Sequence, residues 1–505
     1  MADELDLGAL RSPDGFYLRT GASFTPFTAG GAEDPVYRHR FTYRESENLL
    51  KHAAIDLIKS ARHRIFMASY RIGDHDLLNA LFEAANRLCG GVYIITSWTE
   101  TTLRRDLAGA EDMDGVDLQA QNKRFDELTR RGIALRGHEQ CHAKFLVVDD
   151  DAALVSSANL ETSALADRPG RGATGENGVV VTDKAEVDRL SRFFTRLWYA
   201  GCTWEALPGE EYALHHRKPV PCPVAVPPPA EGPGVIWTDG DHREYSILAA
   251  LHDVIGRARR ELVLATFSLT GIRDRPDLLL DPLRIAMTNH DLDVRLLVRS
   301  RNNVAAHRAD TAALAALGVT VYADSLTHAK GVIADSRYGA LFSANFDAQH
   351  GLFDGVEVGV RLDESSALAE AERFFDHAMT NADMRFVPHP TQAELDRGLA
   401  ARWQRPWPHG QRLVVQTDDS TWHRLTESAM TGPVLWEESP ELRLYLANLA
   451  VTLIPVVQGG YRLVVEASST SATARLESWY RATSSPGIGP RGCCPAVLVR
   501  AEDDQ

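Results

Sequence analysis

Two stretches of this chain, one on each side of a proline-rich segment, repeat the same order of elements. Residues 48–61 have helical periodicity and lead into the apolar run Ile65-Phe66-Met67-Ala68-Ser69-Tyr70. Residues 247–258 are again helical and lead into Leu262-Val263-Leu264-Ala265-Thr266-Phe267. A second apolar stretch follows in each, residues 76–88 and 277–287, the latter interrupted by Pro282. Further strands follow at Val92-Tyr93-Ile94-Ile95 and at Val294-Arg295-Leu296-Leu297-Val298, then helices that end in Arg131-Gly132-Ile133-Ala134-Leu135 and Leu317-Gly318-Val319-Thr320-Val321. Helix followed by apolar strand, repeated, marks α/β units. The chain is therefore expected to fold as two duplicated α/β halves with mostly parallel mixed sheets.

Between the halves, seven of the 24 prolines fall from Pro219 to Pro233, which excludes a helix or central strand there. The expected division is an extension over 1–40, a first half over 41–205, a linker over 206–235, a second half over 236–390 and an accessory domain over 391–505. The last part holds Trp403, Trp407, Trp422, Trp436 and Trp479, with strand-like runs such as Arg412-Leu413-Val414-Val415 and Tyr461-Arg462-Leu463-Val464-Val465. It reads as a small β-rich or α+β domain that could dock a protein partner. No run of about 18 apolar residues indicates a membrane span. Met1-Ala2-Asp3-Glu4-Leu5-Asp6 lacks a basic-then-apolar leader, so a cytoplasmic protein is expected. The six cysteines form no CxxC pair and are expected to be reduced thiols. His215-His216 has no metal-ligand partner at useful spacing. With 54 basic against 69 acidic residues the net charge is −15, which excludes a generic polyanion-coating protein but not a local basic groove.

Each half ends in one constellation: His142-Ala143-Lys144 with Asp149 and then Ser157-Ala158-Asn159, and His328-Ala329-Lys330 with Asp335 and then Ser343-Ala344-Asn345. His to Lys is two residues, Lys to Asp five and His to Asn seventeen in both. Two of only seven lysines occupy the matched positions. On a strand, residues two apart share a face, so the imidazole and the ammonium are expected side by side. The second apolar strand then returns the Asn amide to the same end of the sheet. Lys and Asn donate to phosphate oxygens, and His serves as nucleophile or acid near neutral pH. Two such halves, facing each other, would set two imidazoles about one anion. That suits in-line displacement at phosphorus through a phosphohistidine, with the second imidazole protonating the leaving oxygen.

The paired HxKxxxxD motifs, each followed by a GSxN-like segment, resemble the phospholipase D superfamily over roughly residues 41–390. The resemblance implies two α/β halves sharing one active site, a phosphohistidine intermediate, no cofactor and no required metal. It also implies a glutamate after each Asn that orients a catalytic His, and Glu357 and Glu176 match that place. The first half departs from the pattern by a longer loop between Asn159 and Glu176, which carries Arg168 and Arg171. Asp149 and Asp335 are expected to be structural, with Ser157 and Ser343 as motif support. Arg168, Arg171, Arg299 and Arg301 are candidate contacts to a phosphate backbone. Three readings follow: a nuclease acting on DNA or RNA, which is the one preferred; a phospholipase D or phosphatidyltransferase acting on phospholipid headgroups; and an inactive binding scaffold.

Overall fold

The computed structural model describes residues 15–21, 24–30, 34–99, 118–167, 173–206, 214–229, 231–302, 304–391 and 393–395, together with strands at 411–417, 450–455, 461–466 and 497–500. Two large sheets dominate. In chain order their first strands are β1 (Phe16–Arg19), β2 (Tyr37–Thr42), β3 (Ile65–Ala68), β4 (Val92–Ser97), β5 (Ala134–His138), β6 (Phe145–Val148), β7 (Ala152–Ser156), β8 (Glu176–Val181), β9 (Trp204–Ala206) and β10 (Leu214–His216). After the proline-rich segment come β11 (Gly234–Asp239), β12 (Glu244–Tyr245), β13 (Glu261–Thr266), β14 (Leu269–Thr270), β15 (Asp293–Arg299), β16 (Thr320–Asp324), β17 (Gly331–Ala334), β18 (Tyr338–Phe342), β19 (Phe346–Asp347), β20 (Val356–Arg361) and β21 (Met384–Val387).

The first sheet runs β10-β9-β5-β4-β3-β6-β7-β8-β2 and the second β1-β21-β16-β15-β13-β17-β18-β20-β11-β12. Both are mixed, but the expected parallel majority is not found. Parallel pairing is confined to β3-β4-β5 and β13-β15-β16. The reason is connection length. Helices Leu49–Ser60, His75–Arg87 and Leu118–Arg130 provide crossovers early in the first half, whereas only tight turns join β6 to β7 and β17 to β18, and a tight turn reverses the chain. Helix Leu280–Ala286 accommodates Pro282 in its first turn, where a missing N–H breaks no helical bond.

The described residues before 41 do not stand apart. β1 pairs with β21 at the edge of the second sheet, and β2 pairs with β8 in the first. The proline-rich segment runs extended beside the first half, where Val220 N–H and the Arg217 guanidinium both donate to the Tyr199 carbonyl. One apolar core lies between the halves, where β7 packs against β20 and β8 against β18. Helix Lys184–Arg196, capped by the Asp183 carboxylate, turns Val187, Leu190, Phe193 and Phe194 into it. Phe193 stacks on Trp237 of the second half with ring centroids 4.7 Å apart. Each half keeps a further core under its outer helices. In the C-terminal part β22 (Gln411–Thr417), β23 (Ala450–Pro455), β24 (Tyr461–Glu466) and β25 (Val497–Arg500) form an antiparallel sheet in the order β23-β24-β22-β25. The tryptophans at 403, 407, 422, 436 and 479 lie outside the described residues, as do Met1–Asp6, Cys493 and Cys494. The cysteines at 89, 141, 202 and 222 are unpaired thiols.

Candidate active site

The two His-x-Lys segments lie just before β6 and β17 rather than on them. What fixes each is the opposite half. His142 N–H donates to the Val356 carbonyl at 3.0 Å, and Val356 N–H donates to the Gln140 carbonyl at 3.1 Å. In the mirrored arrangement, His328 N–H donates to the Gly175 carbonyl at 2.8 Å and Gly175 N–H to the Leu326 carbonyl at 3.0 Å. Cys141 and Thr327, each beside a candidate histidine, thus make parallel bridges to the residue just before the other half's glutamate.

These bridges exchange partners between the halves. His142 Nδ1 lies 2.7 Å from Oε1 of Glu357, and His328 Nδ1 lies 2.9 Å from both carboxylate oxygens of Glu176. Each glutamate is buried and receives the hydroxyl of its own half's motif serine, Ser157 on Glu176 and Ser343 on Glu357. Thr174 also donates to Glu176. Burial pushes the Glu176 carboxyl up, but His328 and Lys330 outweigh it and hold the group down to about 2. Burial opposes Glu357 in the same way, and His142 and Lys144 again prevail, so it too lies below the usual carboxylate range. An ionised glutamate on Nδ1 makes that nitrogen the N–H donor and places the lone pair of the neutral ring on Nε2.

The imidazoles keep 25% and 14% of their side-chain surface open, whereas Lys144 and Lys330 are fully buried beneath them. Lys144 donates to the His142 carbonyl, and Lys330 Nζ stands 3.0 Å from both ring nitrogens of His328. Burial lowers His142, and it lowers His328 to about 4. Each histidine also feels the lysine of the other half, so the four groups share one electrostatic environment. Burial brings Lys144 down to about 8 and Lys330 to about 7, with the glutamates resisting. Asn159 and Asn345 are placed alike. Leu160 N–H is held by Ser69 Oγ and Phe346 N–H by Thr266 Oγ1, which fixes each amide at the end of β3 or β13. Asn159 Oδ1 and Asn345 Oδ1 are buried without a hydrogen-bond partner.

Asp149 and Asp335 stand away from this cluster. Each follows its strand with a left-handed backbone, φ 52° and 53°. Strand alternation therefore does not orient them. Asp149 accepts the amides of Arg62, His63 and Arg64, and Asp335 those of Arg259, Arg260 and Glu261. Each carboxylate ties down the loop entering the central strand of its half.

Of the four arginines, Arg168 and Arg171 lie outside the described residues. Arg299 and Arg301 stand over the Phe267 ring, with guanidinium carbons 5.5 and 4.9 Å from its centroid. Phe267 meets the His328 ring edge-on at 4.9 Å. Sequence reasoning missed the counterparts. Tyr70 meets the His142 ring edge-on at 5.5 Å, and Arg71 lies 5.2 Å over Tyr70. The available signal was position, since Tyr70 and Phe267 occupy equivalent places after the two central strands, where α/β sheets present their ligand groups.

The profile of the family described as cardiolipin synthase, phospholipase D-like domain, matches residues 54–198 and 251–379, more than half of the chain. No curated protein matches. Among solved structures the chain is similar to phosphatidylserine synthase from Haemophilus influenzae Rd KW20, with 14% identity, TM-score 0.49 and coverage of 76% of this chain and 90% of that one. It is similar to Nuc, a phospholipase D family member from Salmonella typhimurium, at 21% identity, TM-score 0.25 and coverage of 32% and 94%. Polyphosphate kinase from Porphyromonas gingivalis gives 13% identity, TM-score 0.41 and coverage of 67% and 50%. Among the described residues no helix is long and apolar enough to cross a membrane. With its two matched segments and its two HxKxxxxD motifs, the chain belongs to the phospholipase D superfamily.

Proposed function

We propose that this chain is a phosphodiester hydrolase working through a phosphohistidine, and that its substrate is a nucleic-acid strand. The observation that carries the chemistry is the crossed pairing, His142 on Glu357 and His328 on Glu176. It gives two imidazoles with identical tautomers and with Nε2 unengaged by carboxylate. In the first step Nε2 of one neutral histidine attacks phosphorus while the other, protonated, gives its proton to the leaving oxygen as the P–O bond breaks. In the second, that histidine takes a proton from water, the hydroxide attacks phosphorus, and the P–N bond breaks. Lys144, Lys330, Asn159 and Asn345 would neutralise charge on the non-bridging oxygens. The bound phosphate anion itself raises the pKa of the acid, offsetting the burial that lowers it in the free protein.

Support for a strand, rather than a single headgroup, is the placement of cations on both flanks. Arg71, buried and 3.9 Å from Glu161, lies over the Tyr70 ring that meets His142, and Arg299 and Arg301 lie over the Phe267 ring that meets His328. A polymer supplies phosphates on either side of the scissile one, and a single-phosphate headgroup such as that of phosphatidylcholine does not. The test is cleavage of single-stranded DNA, double-stranded DNA, RNA and phosphatidylcholine vesicles by wild type and His328→Ala in excess EDTA. Nucleic-acid cleavage that the substitution abolishes is expected. Headgroup release without nucleic-acid cleavage overturns the substrate reading, and dependence on a divalent ion overturns the mechanism.

A further inference from the structure

Behind the Phe267 flank lies a buried polar hub that the chemistry above does not use. Its centre is His307, on the helix Ala305–Ala316, fully buried. Leu269 N–H donates to His307 Nδ1 at 3.0 Å, which makes Nδ1 the acceptor and puts the ring hydrogen on Nε2. Nε2 is then shared between the Arg299 carbonyl and the Tyr17 hydroxyl, each 2.9 Å away. One ring therefore joins the segment after Phe267 to the end of the strand carrying Arg299, and both to β1. Tyr17 is itself fully buried, with its hydroxyl 2.6 Å from Thr311 Oγ1.

A second contact runs alongside. The Asn302 side chain accepts the Tyr17 amide at 2.8 Å and donates to the Tyr17 carbonyl at 2.9 Å. The Arg308 guanidinium donates to the Asn302 carbonyl and lies 4.4 Å over the Phe16 ring. Both backbone groups of Tyr17 are thus spent on a residue next to Arg301. Arg301 in turn donates to Ser268 Oγ at 3.2 Å. A strand from the start of the chain clamps the loop whose arginines stand over the ring beside His328.

We propose that Tyr17, Asn302 and His307 form a latch that positions Arg299 and Arg301 to hold the phosphate next to the scissile one. The proposal rests on the reading of those arginines as contacts to a nucleic-acid strand. The three residues are positioning residues; they hold the loop and leave the attack at phosphorus alone. Removing one buried hydrogen bond from such a hub corresponds to about a fivefold change in an equilibrium.

Two readouts separate the latch from the substrate reading. The first is hydrogen–deuterium exchange of the peptide spanning 295–302 in Tyr17→Phe and in Asn302→Ala, the latter a half-buried site. Exchange about fivefold faster there, with wild-type exchange around β6 and β17, is expected. Unchanged exchange in both variants overturns the latch. The second is kinetics on an oligonucleotide and on bis(4-nitrophenyl) phosphate, which has no neighbouring phosphate. Both variants should raise KM for the oligonucleotide about fivefold, keep kcat within about twofold and leave the small diester unaffected. Equal loss of kcat on both substrates overturns a positioning role. Arg301→Ala is the control: if it leaves the oligonucleotide KM unchanged, the phosphate reading of the arginines fails, while exchange still decides the latch.

Discussion

The imidazole of His142 is held at 2.7 Å by the carboxylate of Glu357, a residue 215 positions further along the chain and in the other half of the fold. His328 and Glu176 repeat the exchange. Each half's candidate histidine takes its carboxylate from the other half, so the interface between the halves is part of the candidate site.

Glu357→Gln and Glu176→Gln each replace an ionised acceptor with a neutral amide that can turn its NH₂ toward Nδ1. The neutral histidine then loses the bond that sets its tautomer. Each substitution should lower kcat about 10²-fold with a smaller change in KM. Steady-state kinetics checks this, and near-normal kcat in both variants would contradict the positioning role of the glutamates.

The buried ammoniums set an alkaline limit. Burial brings Lys330 to about 7 and Lys144 to about 8, so their charge is lost as pH rises through that window. kcat/KM should decline across it, and Lys330→Arg, which stays charged, should move the decline to higher pH. A pH profile of both proteins checks this, and an unmoved alkaline limb would assign the decline to another group.

Asp149→Ala removes an acceptor from three amides and puts alanine in a left-handed backbone. It should cost about 1–3 kcal/mol of stability, while Asp149→Asn, tolerated in that conformation, should cost less. Chemical denaturation gives the stability, and activity per folded molecule should be unchanged. A selective loss of kcat would instead place Asp149 in the chemistry.

A buried histidine away from the site makes stability depend on pH. Burial lowers His39 to about 3, and its ring lies against Phe41 and Phe374 with neither nitrogen hydrogen-bonded. The folded-state pKa is depressed below the usual 6.5, so the unfolded chain takes the proton first. Stability is present above about pH 6.5 and is lost as pH falls toward 3. By linkage the loss from this group at pH 5 is about 2 kcal/mol. His39→Phe should remove it, flattening the acid side of the stability profile. An unchanged acid slope would show that His39 is not the group responsible.

Much of this was legible because duplication made the pattern self-checking. Identical spacing in both halves named His142, His328, the lysines, the asparagines and, through the family resemblance, Glu176 and Glu357. Spacing could not say which glutamate holds which histidine, because that depends on how β7 and β8 face β18 and β20. The parallel majority was misjudged because apolar runs such as Phe145–Val148 look alike whether their neighbours are parallel or antiparallel. Tyr70 and Arg71 went unnoticed because their meaning comes from the end of β3 on which they sit. Tyr17 and His307 look like ordinary core residues until the fold brings them together.

The most direct test of the central claim is mass spectrometry of the protein acid-quenched or alkali-quenched during turnover of an oligonucleotide. The account predicts an acid-labile, alkali-stable substrate phosphoryl fragment on His142 or His328, absent when that histidine is replaced by alanine. A turnover-competent enzyme that carries no such adduct, or carries one on another residue, would contradict it.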